Sequence, residues 1–253
     1  MTSTPHLEVA LSDGWLDVRL ARPDQANALS DELVGSLLAA LDLADAERVR
    51  MMTISGIGRH FCAGFDFSDI DQVSDGNLLL RFVRIETVLQ RIYHAPFLTV
   101  SLAHGVAIGA GADIFAACKM RIAAPGLRMR MPGWQFGLAL GTRRLVARVG
   151  ETEALSMLLD SSWRMDTQAL ASGLITEIVE QADWNAVIER ERQRTQTLSA
   201  EANALLGRTV QPRDSRAADM ATLVESASRP GLRDRVIAYK AAAAMAARPK
   251  ASA

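Results

Sequence analysis

Cysteine is scarce in this chain of 253 residues. Cys62 and Cys118 are the only two, and neither belongs to a C-x-x-C pair. That argues against a disulfide framework or a cysteine-based zinc site, and it fits a reducing, cytoplasmic setting. Histidine is also sparse: His6, His60, His94 and His104 show no metal-ligand spacing. Net charge is nearly absent, since 28 basic residues against 29 acidic ones leave −1. A protein built to coat nucleic acid is therefore excluded. Lysine is rare too: it supplies three of the 28 basic residues, and the arginines are spread as a composition bias rather than clustered for phosphate. The opening Met-Thr-Ser-Thr-Pro-His has no basic stretch followed by an apolar core, so no secretory signal is expected. Internal repeats are missing, as are G-x-x-x-x-G-K-[ST], G-x-S-x-G and H-E-x-x-H.

Long apolar runs are missing with one exception. Residues 97–118 carry only Ser101, His104 and Asp113 as strongly polar groups. The length would span a bilayer, but an Asp near the centre of a spanning helix costs about 2.5–3.5 kcal/mol. Gly105, Gly109 and Gly111 also interrupt helical continuity. The run is expected to be a buried strand, a glycine-rich turn and a buried helix, with no membrane partner.

Apolar residues make up 49% of the chain, enough for a sizeable core without metals or disulfides. Asp13-Gly14 between the apolar runs 7–11 and 15–20 predicts a hairpin. Ser30, followed by Asp31 and Glu32, predicts a helix N-cap, with Leu33, Leu37, Leu38 and Leu41 at helical spacing behind it. Strands are expected at 49–55, 97–103, 121–124 and 175–179. Helices are expected at 77–94, 109–118, 143–149, 152–159 and 167–172, then at 185–206, 214–228 and 232–247. The tip, 248–253, is expected to fray. The layout is an α/β core over 1–183 and a helical region over 184–253.

Chemistry is expected in two loops, each following a strand, rich in small residues and leading into a helix. They are Phe61-Cys62-Ala63-Gly64-Phe65-Asp66-Phe67 and His104 to Asp113. Small residues let a ligand approach the backbone, and a helix N-terminus offers unpaired N–H groups. Two such groups aimed at one point make an oxyanion hole. The alternative is that these glycines only permit tight strand–helix packing.

In this order, several segments resemble the enoyl-CoA hydratase/isomerase (crotonase) superfamily. They are Arg22-Pro23…Asn27-Ala28-Leu29, the strand 49–55, Gly56-x-Gly58…Phe61-Cys62-Ala63-Gly64-Phe65-Asp66, Gly105…Gly109-Ala110-Gly111 and Ala169-x-x-x-Gly173-Leu174-Ile175. The resemblance covers residues 7–180. It implies a superhelix of ββα turns, a helical C-terminal region used in trimerisation, and a lyase or isomerase of fatty acid metabolism. The implied substrate is an acyl-CoA thioester, with coenzyme A as part of that substrate and no separate cofactor. It further implies a homotrimer or a dimer of trimers. It implies that the backbone N–H groups of Phe65 and Ala110 bind the thioester oxygen, with Gly109 in the same turn. Ala63, Gly64, Asp66 and Phe67 would line the adenine and pantetheine path, with Ala26 and Ala28 across from them.

Family hydratases use two glutamates as an acid/base pair. Here the aligned residues are Asp113 and Gly133, in a loop shorter than the family form. Glycine moves no proton, and Asp is a methylene shorter than Glu. Asp113 is either the acid/base group or a structural carboxylate at a helix start. Trp134 is expected to face the acyl group. Arg143 and Arg144 are expected to start a solvated helix, with Arg143 as the candidate for a substrate carboxylate. His60 and His104 are expected to be structural, and Cys62 a small buried residue. Hydration or isomerisation through an enolate, decarboxylation of a malonyl-type CoA ester, thioester hydrolysis, and CoA-ester binding without turnover all remain open.

Overall fold

The expected hairpin forms one edge of the main sheet. A computed structural model describes residues 4–210 and 214–246. Strands β1 (Leu7–Ser12) and β2 (Trp15–Leu20) pair antiparallel, with Leu7 opposite Leu20. Asp13 and Gly14 turn between them with φ of 50° and 75°, as a type I′ turn requires. Strands β3 (Met51–Gly56), β4 (Leu98–Ala103), β6 (Met120–Ala123) and β9 (Glu177–Ile178) extend the sheet in parallel, in the order β1-β2-β3-β4-β6-β9. Strands β5 (Val106–Ile108), β7 (Arg128–Arg130) and β8 (Arg164–Met165) form a second, smaller sheet.

The helices begin where side chains satisfy their first N–H groups. Ser30 accepts from Leu33 N (3.3 Å) to start α1 (Asp31–Ala46), and Ser74 accepts from Asn77 N (3.2 Å) to start α2 (Asp75–Tyr93). Each such cap is worth about 1 kcal/mol. Then come α3 (Ala110–Ala117), α4 (Thr142–Val149), α5 (Glu151–Asp160) and α6 (Asp166–Ala171). Helices α7 (Trp184–Gln196), α8 (Ala200–Thr209), α9 (Arg216–Ala227) and α10 (Leu232–Ala246) complete the chain. Strand β3 is buried through its first five residues, as a central parallel strand must be. Trp184, Val187 and Ile188 of α7 cover one sheet face over Met51, Val100, Leu102 and Ile122. The main core, including α1, α2 and α3, fills the other side.

Three expectations change. The helix expected over 185–206 is two helices, because Ser199 takes the N–H of Ala202 (3.1 Å) and starts a new one. The apolar run 97–118 holds β4 and α3 as expected, but β5 lies between them. No helix among the described residues is long and apolar enough to cross a membrane. The face of α10 carrying Val236, Ile237 and Tyr239 packs on the chain's own core, and Met245 is left exposed. That face therefore gives no argument for self-association. The tip, 248–253, lies outside the described residues.

Candidate active site

The two small-residue loops meet because glycines let their backbones touch. A Cβ placed on Gly64 (φ +90°) would lie 2.5 Å from the Ile108 carbonyl oxygen and 3.5 Å from Ala110 N. Backbone bonds lock this contact: Ile108 N donates to Cys62 O (3.0 Å), Cys62 N to Val106 O (3.3 Å), and Gly109 N to Arg130 O (2.9 Å). Ala110 is the first residue of α3, so its N–H has no helical acceptor. Among the described residues, neither Phe65 N–H nor Ala110 N–H has a backbone acceptor. Both residues line one cavity of about 210 Å³. Two free donors on touching loops can hold one developing oxyanion.

The cavity brings together Ala63, Gly64, Phe65, Phe67, Gly109, Ala110, Asp113, Gly133 and Trp134. Four other residues expected at the site do not line it: Ala26, Ala28, Asp66 and Arg143. The first three are bound to its wall. Ala63 N donates to Ala26 O (2.9 Å), and the Arg22 guanidinium bridges Ala28 O (2.5 Å) and Asp66 Oδ2 (2.8 Å). Burial would raise the Asp66 carboxyl, but the Ser68 N–H and Arg22 outweigh it and hold its pKa low. Asn27, fully buried, accepts from Arg22 N (2.9 Å) and donates to Ile57 O (3.0 Å) and His60 O (2.8 Å). Its φ of 55° is one that Asn tolerates well.

Asp113 is the one carboxylate among the described residues that line the cavity. Its N–H is fixed by Gly109 O (2.9 Å), while its carboxyl receives no hydrogen bond from the described residues and packs on Gly141. Burial pushes its pKa up from 3.8 to about 8; Arg144 pulls it down and Glu86 pushes it up further. The group is thus largely a neutral acid at pH 7. Gly133 cannot be replaced in kind: a Cβ there would lie 2.9 Å from Leu138 O, and Leu138 N already donates to Gly133 O (2.9 Å). Arg235 of α10 clamps the same loop through Phe136 O (2.9 Å) and Gly137 O (3.2 Å).

Of the two arginines expected to start a solvated helix, Arg143 is exposed as expected and Arg144 is not. Arg144 is buried and forks onto Glu86 of α2 (2.9 and 2.5 Å), with Asp219 of α9 at 3.3 Å. Arg143 donates to Asp219 Oδ1 (3.1 Å), Ala218 O (3.2 Å) and Thr222 Oγ1 (3.2 Å), so its charge is matched inside the chain. The helical spacing of Phe82, Glu86 and Leu89 puts Glu86 on the apolar stripe of α2, a signal that could have found it. Trp134 does reach the cavity, where its Nε1 donates to Thr142 Oγ1 (3.1 Å). His104 is buried, with Nε2 at 2.7 Å from Gly58 O, and lies away from the cavity. Cys62 is sealed, and burial pushes its thiol up to about 12, which removes it as a nucleophile. Sequence reasoning missed Phe82, Leu158 and Arg130, as well as Tyr239 and Lys240 of α10, all of which line the cavity.

The family model described as enoyl-CoA hydratase/isomerase matches residues 11–225. A probable enoyl-CoA hydratase of Mycobacterium tuberculosis is 31% identical over 188 residues, covering 72% of this chain and 75% of that protein. Another probable enoyl-CoA hydratase, from Rhodobacter capsulatus, is 34% identical over 179 residues, covering 69% and 68%. Among solved structures, a candidate enoyl-CoA hydratase/isomerase from Bordetella parapertussis superposes with a TM-score of 0.92 at 42% identity, covering 93% of this chain and 98% of that one. An enoyl-CoA hydratase from Bacillus halodurans shares the fold at a TM-score of 0.81 and 20% identity, covering 92% and 99%.

Proposed function

The chain belongs to the enoyl-CoA hydratase/isomerase family, and from that premise we propose that it turns over acyl-CoA thioesters through an enolate. The observation that carries this reading is the pair of unpaired N–H groups, Phe65 and Ala110, facing a cavity that holds one carboxyl, Asp113. The thioester oxygen accepts from both N–H groups and gains strength as a hydrogen-bond acceptor when the enolate forms. Asp113, protonated near neutrality, gives its proton to the α-carbon and recovers one from solvent. The bulk of Phe65, stacked on Phe82 at 4.6 Å between ring centroids, shapes the acyl side. A cytoplasmic setting and a homotrimer or dimer of trimers belong to the same proposal.

One observation favours a particular member of this reaction class. Hydration needs one group to activate water and another to deliver a proton, and Gly133 supplies neither. Decarboxylation of a malonyl-type ester asks less. The bond from the α-carbon to the carboxylate breaks, its electron pair becomes the enolate, carbon dioxide leaves, and Asp113 supplies the proton. The test is a panel of crotonyl-CoA, a 3-enoyl-CoA and methylmalonyl-CoA, run with the wild type and Ala110→Pro. Proline is accepted at the first position of a helix and has no N–H, so the variant removes one oxyanion donor. A loss of about 10²–10³ in kcat supports the enolate reading, whereas an unchanged rate in the folded variant refutes it. Methylmalonyl-CoA as sole substrate supports decarboxylation. Free thiol from every ester indicates hydrolysis, and binding without turnover indicates a CoA-ester-binding protein.

A further inference from the structure

Most buried or half-buried arginines in this protein meet a carboxylate or a set of carbonyls. Arg144 has Glu86 and Asp219, Arg22 has Asp66, and Arg148 has the carbonyls of Ala116 and Cys118. Arg121 has four carbonyls, those of Leu174, Cys118, Lys119 and Gly173. Arg130 differs. It lines the cavity and is half-buried, yet no carboxylate or carbonyl among the described residues takes its guanidinium, and its Nε is buried without a partner. A part-buried cation without a counter-charge is costly, so its place on a cavity wall requires a reason from outside the chain.

The surroundings present the charge rather than quench it. The guanidinium lies over the Trp163 ring, 4.8 Å from its centroid, a contact that orients the planar group and leaves its N–H edge free to fork. Arg128 lies over the same ring at 5.1 Å, which adds positive charge nearby. Tyr239, another lining residue, lies close enough for the Arg130 charge to act on its phenol. Asp113 is not Arg130's counter-ion, because the charges acting on that carboxyl come from Arg144 and Glu86. Arg130 is also close to the reaction centre along the backbone. Its carbonyl takes the N–H of Gly109 (2.9 Å), the residue before the oxyanion donor Ala110. The free guanidinium is therefore anchored within one side-chain length of the oxyanion turn.

We infer that Arg130 is a specificity-determining residue that binds a carboxylate on the acyl group. The preferred substrates are then short dicarboxylic acyl-CoA monothioesters, whose second carboxylate lies a few carbons from the thioester. This rests on the acyl-CoA reading above and assigns to Arg130 the role that the sequence suggested for Arg143.

The test compares binding of succinyl-CoA and butyryl-CoA, which match in chain length and differ by a carboxylate, using calorimetry on the wild-type protein, Arg130→Gln and Arg130→Lys. The wild type is expected to prefer succinyl-CoA by about tenfold or more, the scale of a charge-assisted fork. Arg130→Gln is expected to level the two affinities while leaving butyryl-CoA unchanged, and Arg130→Lys to keep part of the preference. The wild-type comparison needs no variant to fold. If butyryl-CoA binds and no preference appears, the carboxylate inference fails and the acyl-CoA reading stands. If Arg130→Gln weakens both esters alike, and the loss vanishes with the matching pantetheine thioesters, Arg130 holds a nucleotide phosphate and the inference is overturned. If neither ester nor free CoA binds the wild type, the acyl-CoA reading itself fails.

Discussion

Replacing Asp113 by Asn should make the protein more stable relative to the wild type as pH rises, and the size of the effect follows from burial. In the unfolded chain this carboxyl titrates near 3.8; in the folded protein burial raises it to about 8. The helix start beneath it favours the charged form by at most about 2 kcal/mol. A shift of about four units corresponds to about 6 kcal/mol, so burial wins. Between these two pH values the folded state keeps a proton that the unfolded state has lost. Stability contributed by this group is therefore full below about pH 4 and is lost as pH rises towards 8, by about 1.4 kcal/mol per unit. The amide introduced by Asp113→Asn is neutral throughout and lacks this slope. Urea unfolding of both proteins at pH 5, 6, 7 and 8 should show the difference changing in favour of Asp113→Asn across the series. Turnover by the wild type should fall above about pH 8 as the acid form disappears, and the variant should lose about 10²–10⁴ in rate. Parallel stability profiles would falsify the argument, because they would mean a solvated carboxylate with an ordinary pKa, unable to serve as an acid at neutrality.

Gly141→Ala places a methyl where Asp113 Oδ1 sits, at a φ of +67°. A destabilisation of about 1–3 kcal/mol and a sharp loss of kcat should follow, measured by thermal melting and steady-state assay; wild-type kinetics would contradict the packing described. Arg144→Met leaves Glu86 buried without its partner, and should cost about 3–5 kcal/mol in urea unfolding. A loss under about 1 kcal/mol would mean that water reaches Glu86. Neither thiol should react with iodoacetamide in the folded protein at pH 8, because Cys62 and Cys118 are buried and pushed up to about 12; mass spectrometry showing rapid alkylation would contradict this.

What the sequence made legible is what is encoded locally. The Asp13-Gly14 hairpin, the Ser30 cap and the small-residue loops all depend on neighbours within a few positions, and each appears where expected. The second sheet was not legible because its strands are two or three residues long and pair across the chain, Val106 with Arg128 and Arg128 with Met165. A strand of that length has no periodicity to read. The cluster of Glu86, Arg144 and Asp219 was hidden for a related reason, since its members come from three helices and the buried Arg144 reads like its exposed neighbour Arg143 until its partners are known. Asp113 is legible through the family resemblance, but its protonation state belongs to the assembled core. Arg130 was passed over because an arginine in an arginine-rich chain carries no signal; its missing counter-charge is visible only in three dimensions.

The loop at Gly133 bears on how this site could be re-engineered. The direct route to the acid/base pair that the family resemblance implies is a glutamate at that position. Yet the Leu138 carbonyl occupies the space a side chain needs, the loop is bonded to itself, and Arg235 holds it from the far helix. A point substitution would therefore disrupt the turn before it supplied a proton. Recovering the second carboxyl calls for added backbone between Pro132 and Gly141, together with release of the Arg235 clamp. Such concerted changes put a second carboxyl several steps, rather than one codon, away from this chain.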